Sequence, residues 1–406
     1  MNDVAPRRLT EDVVGALISV TKAEVIEVRL PLLEPFVTGF GTTATRRTVL
    51  VRLEDGEGYV GWGEAAALDH PYYLSETTAT TLAVLSEYAL PLALALGPTD
   101  PRQVAHALAR IRRNTFARTG VEASFWTLHS ARRSIPLWRL FGGRSSTVPP
   151  RIAVGESIGI KPSIAETLYE VESRLAQGYS RIKLKIRPGW DLRVVEAVRL
   201  SFGSIMLQVD ANASYTRDHG PHLQQPDAFD LACIEQPLAY YDLLGHAELQ
   251  ATLSTPICLD ESLRSPADVR SALDIDACRN VNLKPGRVGG IAASLEIHQL
   301  CFEAGIPLWC GGMLESGIGR APNLALCTLP GFTHPADMSP SSVLYQEDLV
   351  HPSYEVDAEG SICVSSEPGL GYEVNEDLVE AWTVHRLDVP VPDAKEALRA
   401  STINQE

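Results

Sequence analysis

Two hydrophobic textures divide the chain near residue 150. Over residues 20–60 apolar and polar positions alternate, as in VTKAEVIEVRLPL, which predicts antiparallel strands with a turn at Glu54-Asp55-Gly56. Residues 75–145 carry helical periodicity instead and end in PLWRLFGG. An antiparallel sheet followed by helices predicts an α+β module over residues 20–145.

Beyond residue 150 short apolar runs alternate with amphipathic stretches at a steady period. Such runs are typical of parallel strands covered on both faces. The seven runs are RIAVGES (151–157), RIKLKI (181–186), IMLQVD (205–210), LACIEQP (231–237), PICLDES (256–262), NVNLKPG (280–286) and IPLWCGG (306–312). Seven βα units in succession predict an α/β fold, a TIM-type barrel of seven or eight units over residues 146–349. A doubly wound open sheet is the alternative, but GESIGIKPS after the first strand is no phosphate-binding glycine loop.

The two ends of the chain fall outside these patterns. Residues 1–19 are predicted to be a polar extension, because they contain no apolar core of the signal-peptide type. We expect residues 350–385 to join the first module and residues 386–406 to form a tail.

Composition and charge limit the classes of partner. The 406 residues carry a formal charge of −16, which argues against non-specific binding to nucleic acid or anionic membranes. No apolar run reaches the length of a membrane span. Cys233, Cys258 and Cys310 lie in strand-like runs, and the seven cysteines include no C-x-x-C pair, so we expect buried free thiols in a reducing cytoplasm.

Charged residues recur at one place in each predicted unit, the carboxyl end of the strand. They follow one another at intervals of 24 or 25 residues, at Lys185, Asp210, Glu235, Asp260 and Lys284. The carboxyl ends of barrel strands meet at one mouth, where this fold places its catalytic groups. We therefore expect these five side chains to converge.

The three acidic positions predict a metal site. Asp210, Glu235 and Asp260 would bring three carboxylates together, and their mutual repulsion requires a cation. Ligation by carboxylate oxygens selects a hard ion, so we expect Mg²⁺, for which Mn²⁺ can substitute. In the alternative, each acid caps a helix or pairs with a lysine, which does not explain three acids in step on successive strands.

The lysines predict acid–base chemistry. The strand RIKLKI carries Lys183 and Lys185, although an apolar central strand has no structural need for two lysines. A second ammonium and burial both disfavour the charged form of a lysine and prepare it to act as a base. Lys284 lies beyond the acidic strands, on the opposite side of the predicted metal. A solvated strand edge is the alternative interpretation of K-x-K.

Taken together, these motifs resemble the enolase superfamily. They are similar to its muconate-lactonising branch, and within it to the o-succinylbenzoate synthase / N-acylamino-acid racemase subfamily. The motifs are KLK (183–185), DAN (210–212), IEQP (234–237), DES (260–262), NLKPGRVGG (282–290) and GGMLESGIGR (311–320). The resemblance spans about residues 20 to 375 and implies a capping domain over the barrel mouth, a small-molecule carboxylate substrate and a homo-oligomer.

The resemblance also implies a role for each site residue. The implied metal ligands are Asp210, Glu235 and Asp260, and the implied acid–base residues are Lys185, Lys284 and, beside Lys185, Lys183. Residues supporting them from behind would be Asn212, Glu261 and Arg287. The substrate pocket would be lined by Ser157, Phe36, Phe40, Leu68, Tyr73, Gly311, Gly312 and Met313.

The reaction implied is removal of the proton next to a carboxylate, through an ene-diolate. Return of a proton to the opposite face gives a racemase, and loss of a β-hydroxyl gives a dehydratase such as o-succinylbenzoate synthase. Arg287 favours racemisation of N-succinyl or other N-acyl amino acids, because a nearby guanidinium would make Lys284 easier to deprotonate. The alternatives are a dedicated synthase, a dipeptide epimerase and an inactive binding barrel.

Overall fold

Antiparallel strands form the sheet of the first unit in the computed structural model, which describes residues 17–38, 41–143 and 148–392. The strands are β1 (Val20–Thr38), β2 (Gly41–Asp55), β3 (Val60–Ala65) and β15 (Thr383–Asp388), in the order β15-β1-β2-β3. The strand β15 crosses the predicted start of the tail at residue 386 and pairs Asp388 with Glu24. The first unit is thus completed by the end of the chain.

Both faces of this sheet are buried. Val25, Val51 and Leu53 pack with the helices of the first unit, whereas Ile26 and Leu50 pack in a cluster that includes barrel residues. The helices of the unit are α1 (Thr78–Val84), α2 (Leu90–Leu94), α3 (Pro101–Leu108), α4 (Thr115–Arg133) and α5 (Leu137–Leu140), with a π-helical turn at Leu85–Ala89.

The helix α4 lies very close to β3. A Cβ atom at Gly63 would stand 2.0 Å from the carbonyl oxygen of Gly120, and one at Gly61 would stand 2.3 Å from that of Ser124. Only glycine fits at these two strand positions, so the sheet and helix form one rigid layer facing the barrel.

Seven parallel strands form the second unit, in the order β11-β10-β9-β8-β7-β6-β5. They are β5 (Gly155–Ile158), β6 (Arg181–Lys185), β7 (Met206–Asp210), β8 (Ile234–Glu235), β9 (Ile257–Leu259), β10 (Asn280–Leu283) and β11 (Leu308–Cys310). Each predicted apolar run contains one of them. The first run divides, because β4 (Arg151–Ala153) leaves the barrel and pairs with β13 (Ser361–Cys363).

An irregular segment, residues 331–337, closes this sheet into a barrel. The amide of Leu308 donates to the carbonyl oxygen of Gly331 at 2.9 Å, and the amide of Asp337 donates to that of Cys310 at 2.9 Å. On the other edge the amide of Gly155 donates to the carbonyl oxygen of Ala336 at 2.9 Å. The predicted barrel with an α+β cap is confirmed. Its eighth position is filled by a segment that no apolar run in the sequence predicted.

Helices follow the strands of the second unit, most of them on the outside of the barrel, and two begin at serine caps. Ser163 accepts the amide of Glu166 at 3.2 Å, and Ser265 caps a helix whose first residue is Pro266. The helices are α6 (Ile164–Ala176), α7 (Leu192–Phe202), α8 (Gly220–Leu223), α9 (Leu243–Gln250), α10 (Pro266–Asp274), α11 (Pro285–Val288), α12 (Ile291–Ala304), α13 (Gly317–Leu326), α14 (Ser341–Leu344) and α15 (Glu376–Trp382). Two further strands, β12 (Val350–His351) and β14 (Glu373–Val374), pair with each other.

The inside of the barrel contains a small apolar cluster among buried polar and charged side chains. Cys233, Cys258 and Trp309 form a fully buried cluster, and the indole of Trp309 donates to the sulfur of Cys258 at 3.3 Å. These two cysteines and Cys310 are buried free thiols, as expected. Within the described ranges, no helix has the length and apolar character needed to cross a membrane.

Candidate active site

The predicted catalytic residues converge at the carboxyl ends of the barrel strands. Pairing of β6 with β7 sets Lys185 beside Asp210, and pairing of β7 with β8 sets Asp210 beside Glu235. Asp260 directly follows β9 and Lys284 directly follows β10. Each charge therefore occupies the same level of the barrel because its strand ends there.

On the β6 side, Lys185 is held by two residues of the next strand and its loop. Its Nζ donates to Oδ2 of Asp210 at 2.6 Å and to Oδ1 of Asn212 at 2.7 Å. Asn212 has a φ of 42° and donates from Nδ2 to Oε1 of Glu261 at 3.1 Å. The predicted supporting residues Asn212 and Glu261 thus link the lysine to the loop after β9.

Lys183 lies one layer deeper than Lys185 and contacts three carboxylates. Its Nζ stands 3.3 Å from Glu235 and 3.7 Å from Asp210, and it donates to Asp337, on the segment that closes the barrel. Burial alone would lower the pKa of Lys183, but the attraction of these three acids outweighs it and raises the pKa. Lys183 is therefore a fixed cation in this arrangement.

On the β10 side, a residue of the cap enters the cluster. The hydroxyl of Tyr73 donates to Oδ1 of Asp260 at 3.0 Å and accepts from Nζ of Lys284 at 3.2 Å and from Nη1 of Arg287 at 3.3 Å. Lys284 also donates to Oδ2 of Asp260 at 2.9 Å. Tyr73, predicted only to line the substrate pocket, thus contacts Lys284, a predicted acid–base residue.

Arg287 is buried behind Lys284 rather than on the surface. It donates to the carbonyl oxygens of Leu263, at 2.6 Å, and Asn282, and it contacts Asp260. The predicted effect of Arg287 on the deprotonation of Lys284 stays a prediction, because the pKa of Lys284 reflects all of its neighbours together. Burial would lower its pKa, but nearby Tyr73 and the acids of the cluster outweigh this effect and raise the pKa.

The acidic residues repel one another across the mouth. Burial raises the pKa of Glu235 and of Glu261, and the nearby charge of Asp210 raises both further. Burial opposes ionisation of Asp210 as well, but Lys185 and Lys183 outweigh it and lower that pKa. Glu235 and Glu261 therefore hold a proton more readily than a free carboxyl group does, whereas Asp210 gives one up more easily.

The donor atoms fit a divalent cation, although the side chains are turned to other partners. Within residues 17–38, 41–143 and 148–392, no three acidic, histidine or cysteine side chains converge on one ion position as they stand. Asp210 and Asp260 instead pair with lysines at 2.6 and 2.9 Å. The set consists of buried carboxylates on adjacent strands, and Oε2 of Glu261 is buried without a hydrogen-bond partner. Such an all-oxygen set suits a hard cation.

The predicted substrate-binding residues are divided by the structure. Ser157 pairs with Lys183 across β5 and β6, and a Cβ atom at Gly311 would stand 2.5 Å from Cε of Lys284. Gly312 follows on the same loop, near the carbonyl of Asp337. Leu68 and Met313 pack with the core of the cap instead. The side chain of Phe36 and all of Phe40 lie outside the described residues.

Three polar residues that support the site were not predicted. Gln208 and Asn282 donate to the two oxygens of Glu235, at 3.0 and 2.7 Å. Each precedes a predicted site residue by two positions and therefore faces the same way, a signal that strand alternation contains. Asp337 had no comparable signal, because the segment GFTHPAD that carries it has no strand-like pattern.

Comparison with known proteins identifies the family. The family model "Mandelate racemase / muconate lactonizing enzyme, N-terminal domain" matches residues 20–142, and the model "Enolase C-terminal domain-like" matches residues 166–378. The chain belongs to the enolase superfamily. Among solved structures, a member of the enolase superfamily from Listeria innocua has a TM-score of 0.89 and 36% identity, over 92% of this chain and 100% of that one.

Curated relatives within the superfamily have two different names. The o-succinylbenzoate synthase of Geobacillus kaustophilus is 44% identical over 88% of this chain and 94% of its own length. The N-succinylamino acid racemase of Thermus thermophilus is also 44% identical, over 89% of this chain and 96% of its own length. Equal similarity to a lyase and to an isomerase makes the chain an enzyme of this superfamily but does not choose between the two reactions.

Proposed function

We propose that this chain is a Mg²⁺-dependent racemase of N-succinyl or other N-acyl amino acids, with o-succinylbenzoate synthase activity as a second reaction. The main observation that supports this proposal is the position of two lysines on opposite sides of one acidic cluster. Lys185 ends β6 and Lys284 follows β10, and the three strands between them end in Asp210, Glu235 and Asp260. A substrate carbon held over the acids would face a lysine on each side.

Asp210, Glu235 and Asp260 would hold the metal, with Glu261 behind them. When bound, Mg²⁺ supplies positive charge to the substrate carboxylate as negative charge develops there. Mn²⁺ satisfies the same donor set. The lysines now paired with Asp210 and Asp260 would be released towards the substrate, because their carboxylate partners would then face the ion.

The chain's own residues perform the proton transfers. A neutral Lys185 takes the α-proton, and the electrons of the broken C–H bond pass into the carboxylate. The ammonium of Lys284 gives a proton to the opposite face, which inverts the carbon, and the roles exchange for the other enantiomer. Lys183, a fixed cation one layer below, contacts the same carboxylate as Lys185, that of Asp210.

The second reaction uses the same first step. If the substrate has a β-hydroxyl, protonated Lys185 can return its proton to the leaving oxygen, and the C–O bond breaks with formation of a double bond. Lys284 then acts only as a cation. The equal identity to relatives with both names supports two reactions on one site.

Deuterium exchange tests this proposal. Each enantiomer of N-succinylphenylalanine is incubated with Mg²⁺-loaded enzyme in D₂O, and inversion and α-deuteration are followed by polarimetry and NMR. Lys284→Ala should abolish inversion in both directions, a loss of at least about 10³-fold, yet leave exchange on the enantiomer that faces Lys185. Lys185→Ala should give the mirror pattern.

A surface lysine provides the matched control. Lys161 pairs with Glu170 at 3.7 Å on the outside of the barrel, so Lys161→Ala should retain full racemisation. Racemisation at the wild-type rate in Lys284→Ala would contradict the two-base assignment. Dehydration of the synthase substrate without any inversion by wild type would leave the chain a dedicated synthase.

A further inference from the structure

Three cations stand in a row on one face of β6. Arg181, Lys183 and Lys185 alternate along the strand, so their side chains all enter the barrel interior. Their side-chain exposure rises from 0% through 5% to 20% towards the mouth. Such closely spaced charges require a counterion at depth, where water does not reach.

Asp337 is that counterion. One of its oxygens contacts Nη2 of Arg181 and the other accepts from Nζ of Lys183, so a single carboxylate spans the two lower cations. Burial opposes ionisation of Asp337, but the attraction of Arg181 and Lys183 outweighs it and lowers its pKa. The amide of Asp337 is itself fixed to the carbonyl oxygen of Cys310 at 2.9 Å.

Neighbouring residues inside the barrel leave room for Arg181 and fix its position and that of Lys183. A Cβ atom at Gly155 would stand 2.3 Å from Nε of Arg181, so glycine leaves the room that the guanidinium occupies. The guanidinium and the ammonium of Lys183 both lie over the ring of Trp309, at 5.2 and 4.8 Å from its centre. The ring and the carboxylate together define one position for the ammonium.

The three carboxylate partners of Lys183 differ in one respect. Glu235 and Asp210 belong to the proposed ligand set, so their charges would be committed to the ion in the loaded enzyme. Asp337 does not belong to that set. Asp337 would therefore still pair with Lys183 when Glu235 and Asp210 bind the ion.

We infer that Asp337, clamped by Arg181, is a positioning residue that fixes the ammonium of Lys183 one layer below Lys185, beside Asp210 and Glu235. This inference rests on the proposed function, which assigns the base to Lys185. Asp337 acts through Lys183 and touches no reacting atom in this scheme.

A double-mutant cycle tests the inference. Asp337→Asn should lower kcat for α-proton exchange by about 10²-fold with less effect on KM, because a displaced ammonium no longer supports the neighbouring base. If Asp337 acts through Lys183, the variant Lys183→Ala/Asp337→Asn should be no slower than Lys183→Ala alone, within about threefold. Additive losses would overturn the inference.

A second readout needs no substrate. The chain has six lysines, at positions 22, 161, 183, 185, 284 and 395, so selective ¹³C,¹⁵N labelling gives few signals. In the Mg²⁺-loaded protein, Asp337→Asn should move the Lys183 side-chain resonance and leave that of Lys284 in place. An unmoved Lys183 resonance, or equal shifts of both, would overturn the inference whatever reaction the enzyme performs.

Controls cover folding and metal binding. Asp357→Asn makes the same chemical change at another arginine-paired aspartate, outside the barrel mouth, and should leave kcat within twofold. If Asp337→Asn does not fold because Arg181 loses its counterion, Arg181→Met/Asp337→Leu replaces the pair by apolar groups. That variant should fold, bind Mg²⁺ with unchanged affinity by calorimetry and still show the loss of kcat, and wild-type kcat in it would overturn the inference.

Discussion

The two lysine sides of the site are built from different parts of the molecule. On the β6 side, Lys185 and Lys183 contact barrel residues: Asp210, Asn212 and Asp337. On the β10 side, Lys284 contacts a barrel acid and also Tyr73, which belongs to the cap. One proton-transfer side is therefore set when the barrel folds, and the other is completed only when the cap docks.

This difference assigns separate tasks to the two units. The barrel fixes one lysine and the acidic cluster, which all carboxylate chemistry at this site would share. The cap contacts the second lysine, on which inversion would depend in the proposed mechanism. A change in the cap can thus alter the balance between racemisation and dehydration without touching the first proton transfer.

Metal removal gives the largest expected effect and should affect both sides alike. Treatment with a chelator should abolish racemisation and α-proton exchange of both enantiomers, because both steps place negative charge over the same acidic cluster. Addition of Mg²⁺ or Mn²⁺ should restore them. Exchange of either enantiomer at the wild-type rate in a metal-free sample, checked by atomic absorption, would contradict the shared role of the acids.

Gly311→Ala should damage the β10 side more than the β6 side. The added Cβ atom would stand 2.5 Å from Cε of Lys284 and 2.4 Å from Oδ1 of Asn282, whose amide holds Glu235, so both side chains must move. Displacement of a proton-transferring group by about 1 Å costs on the order of 10²-fold in rate, so inversion should fall by at least this factor. Exchange at Lys185, which loses only the support of Glu235, should fall less. A larger loss of exchange than of inversion, measured by NMR in D₂O, would contradict the separation of the two sides.

Tyr73→Phe should have a similar but smaller effect. Loss of the hydroxyl removes its hydrogen bonds with Asp260, Lys284 and Arg287. We expect this loss to lower the inversion rate about tenfold. Asn212→Ala is the matched change on the other side, since it removes a bond to Lys185, and should slow exchange of the opposite enantiomer. The enantiomer preference of exchange in the two variants measures how far the sides are independent.

The smallest effect on catalysis is expected at the contact that docks the cap. Glu64 of β3 accepts from the amides of Ser316 and Gly319, each at 3.0 Å, at the start of α13. Burial raises its pKa from 4.5 to about 7. The unfolded chain releases this proton near pH 4.5, so the stabilising contribution is full below that pH and is lost as the pH rises through 7.

Thermal unfolding between pH 5 and 8 checks this sign. Wild type should lose stability over the interval, and Glu64→Gln, which cannot titrate, should show a weaker dependence on pH. The variant should keep kcat within about threefold, because Glu64 lies outside the mouth. A pH dependence of the melting temperature identical to that of wild type would remove Glu64 from this role.

The sequence predicts the barrel and its ring of charges because the fold repeats. One apolar run and one terminal charge recur every 24 or 25 residues, so Lys185, Asp210, Glu235 and Asp260 can be placed without a structure. Asp337 could not be placed, because its segment closes the barrel through irregular backbone bonds rather than a ladder. The contact of Tyr73 with Lys284 joins residues 211 positions apart, and no local pattern encodes it.

The pKa of Lys284 is the property of the site that the sequence predicts least well. A guanidinium near Lys284 suggested a lower pKa, but the outcome depends on every charge that faces the lysine. Tyr73, Glu235 and Glu261 all lie on other segments and together raise it. The place of a lysine at the mouth can therefore be predicted from its strand position, whereas its protonation state depends on every group that surrounds it in the folded chain.

The pairing of β1 with β15 determines how late in synthesis the sheet of the cap can form. Glu24 pairs with Asp388, 364 positions further along the chain, so the chain must leave the ribosome as far as residue 388 before the edge of the cap sheet is covered. The barrel strands lie entirely between these partners and can assemble first, since each pairs with its neighbours in sequence and the closing segment 331–337 also precedes β15. A product truncated before β15 would keep the acids and lysines of the mouth but expose the edge of β1. Two products with the same charges at the mouth would therefore differ in whether this edge is covered.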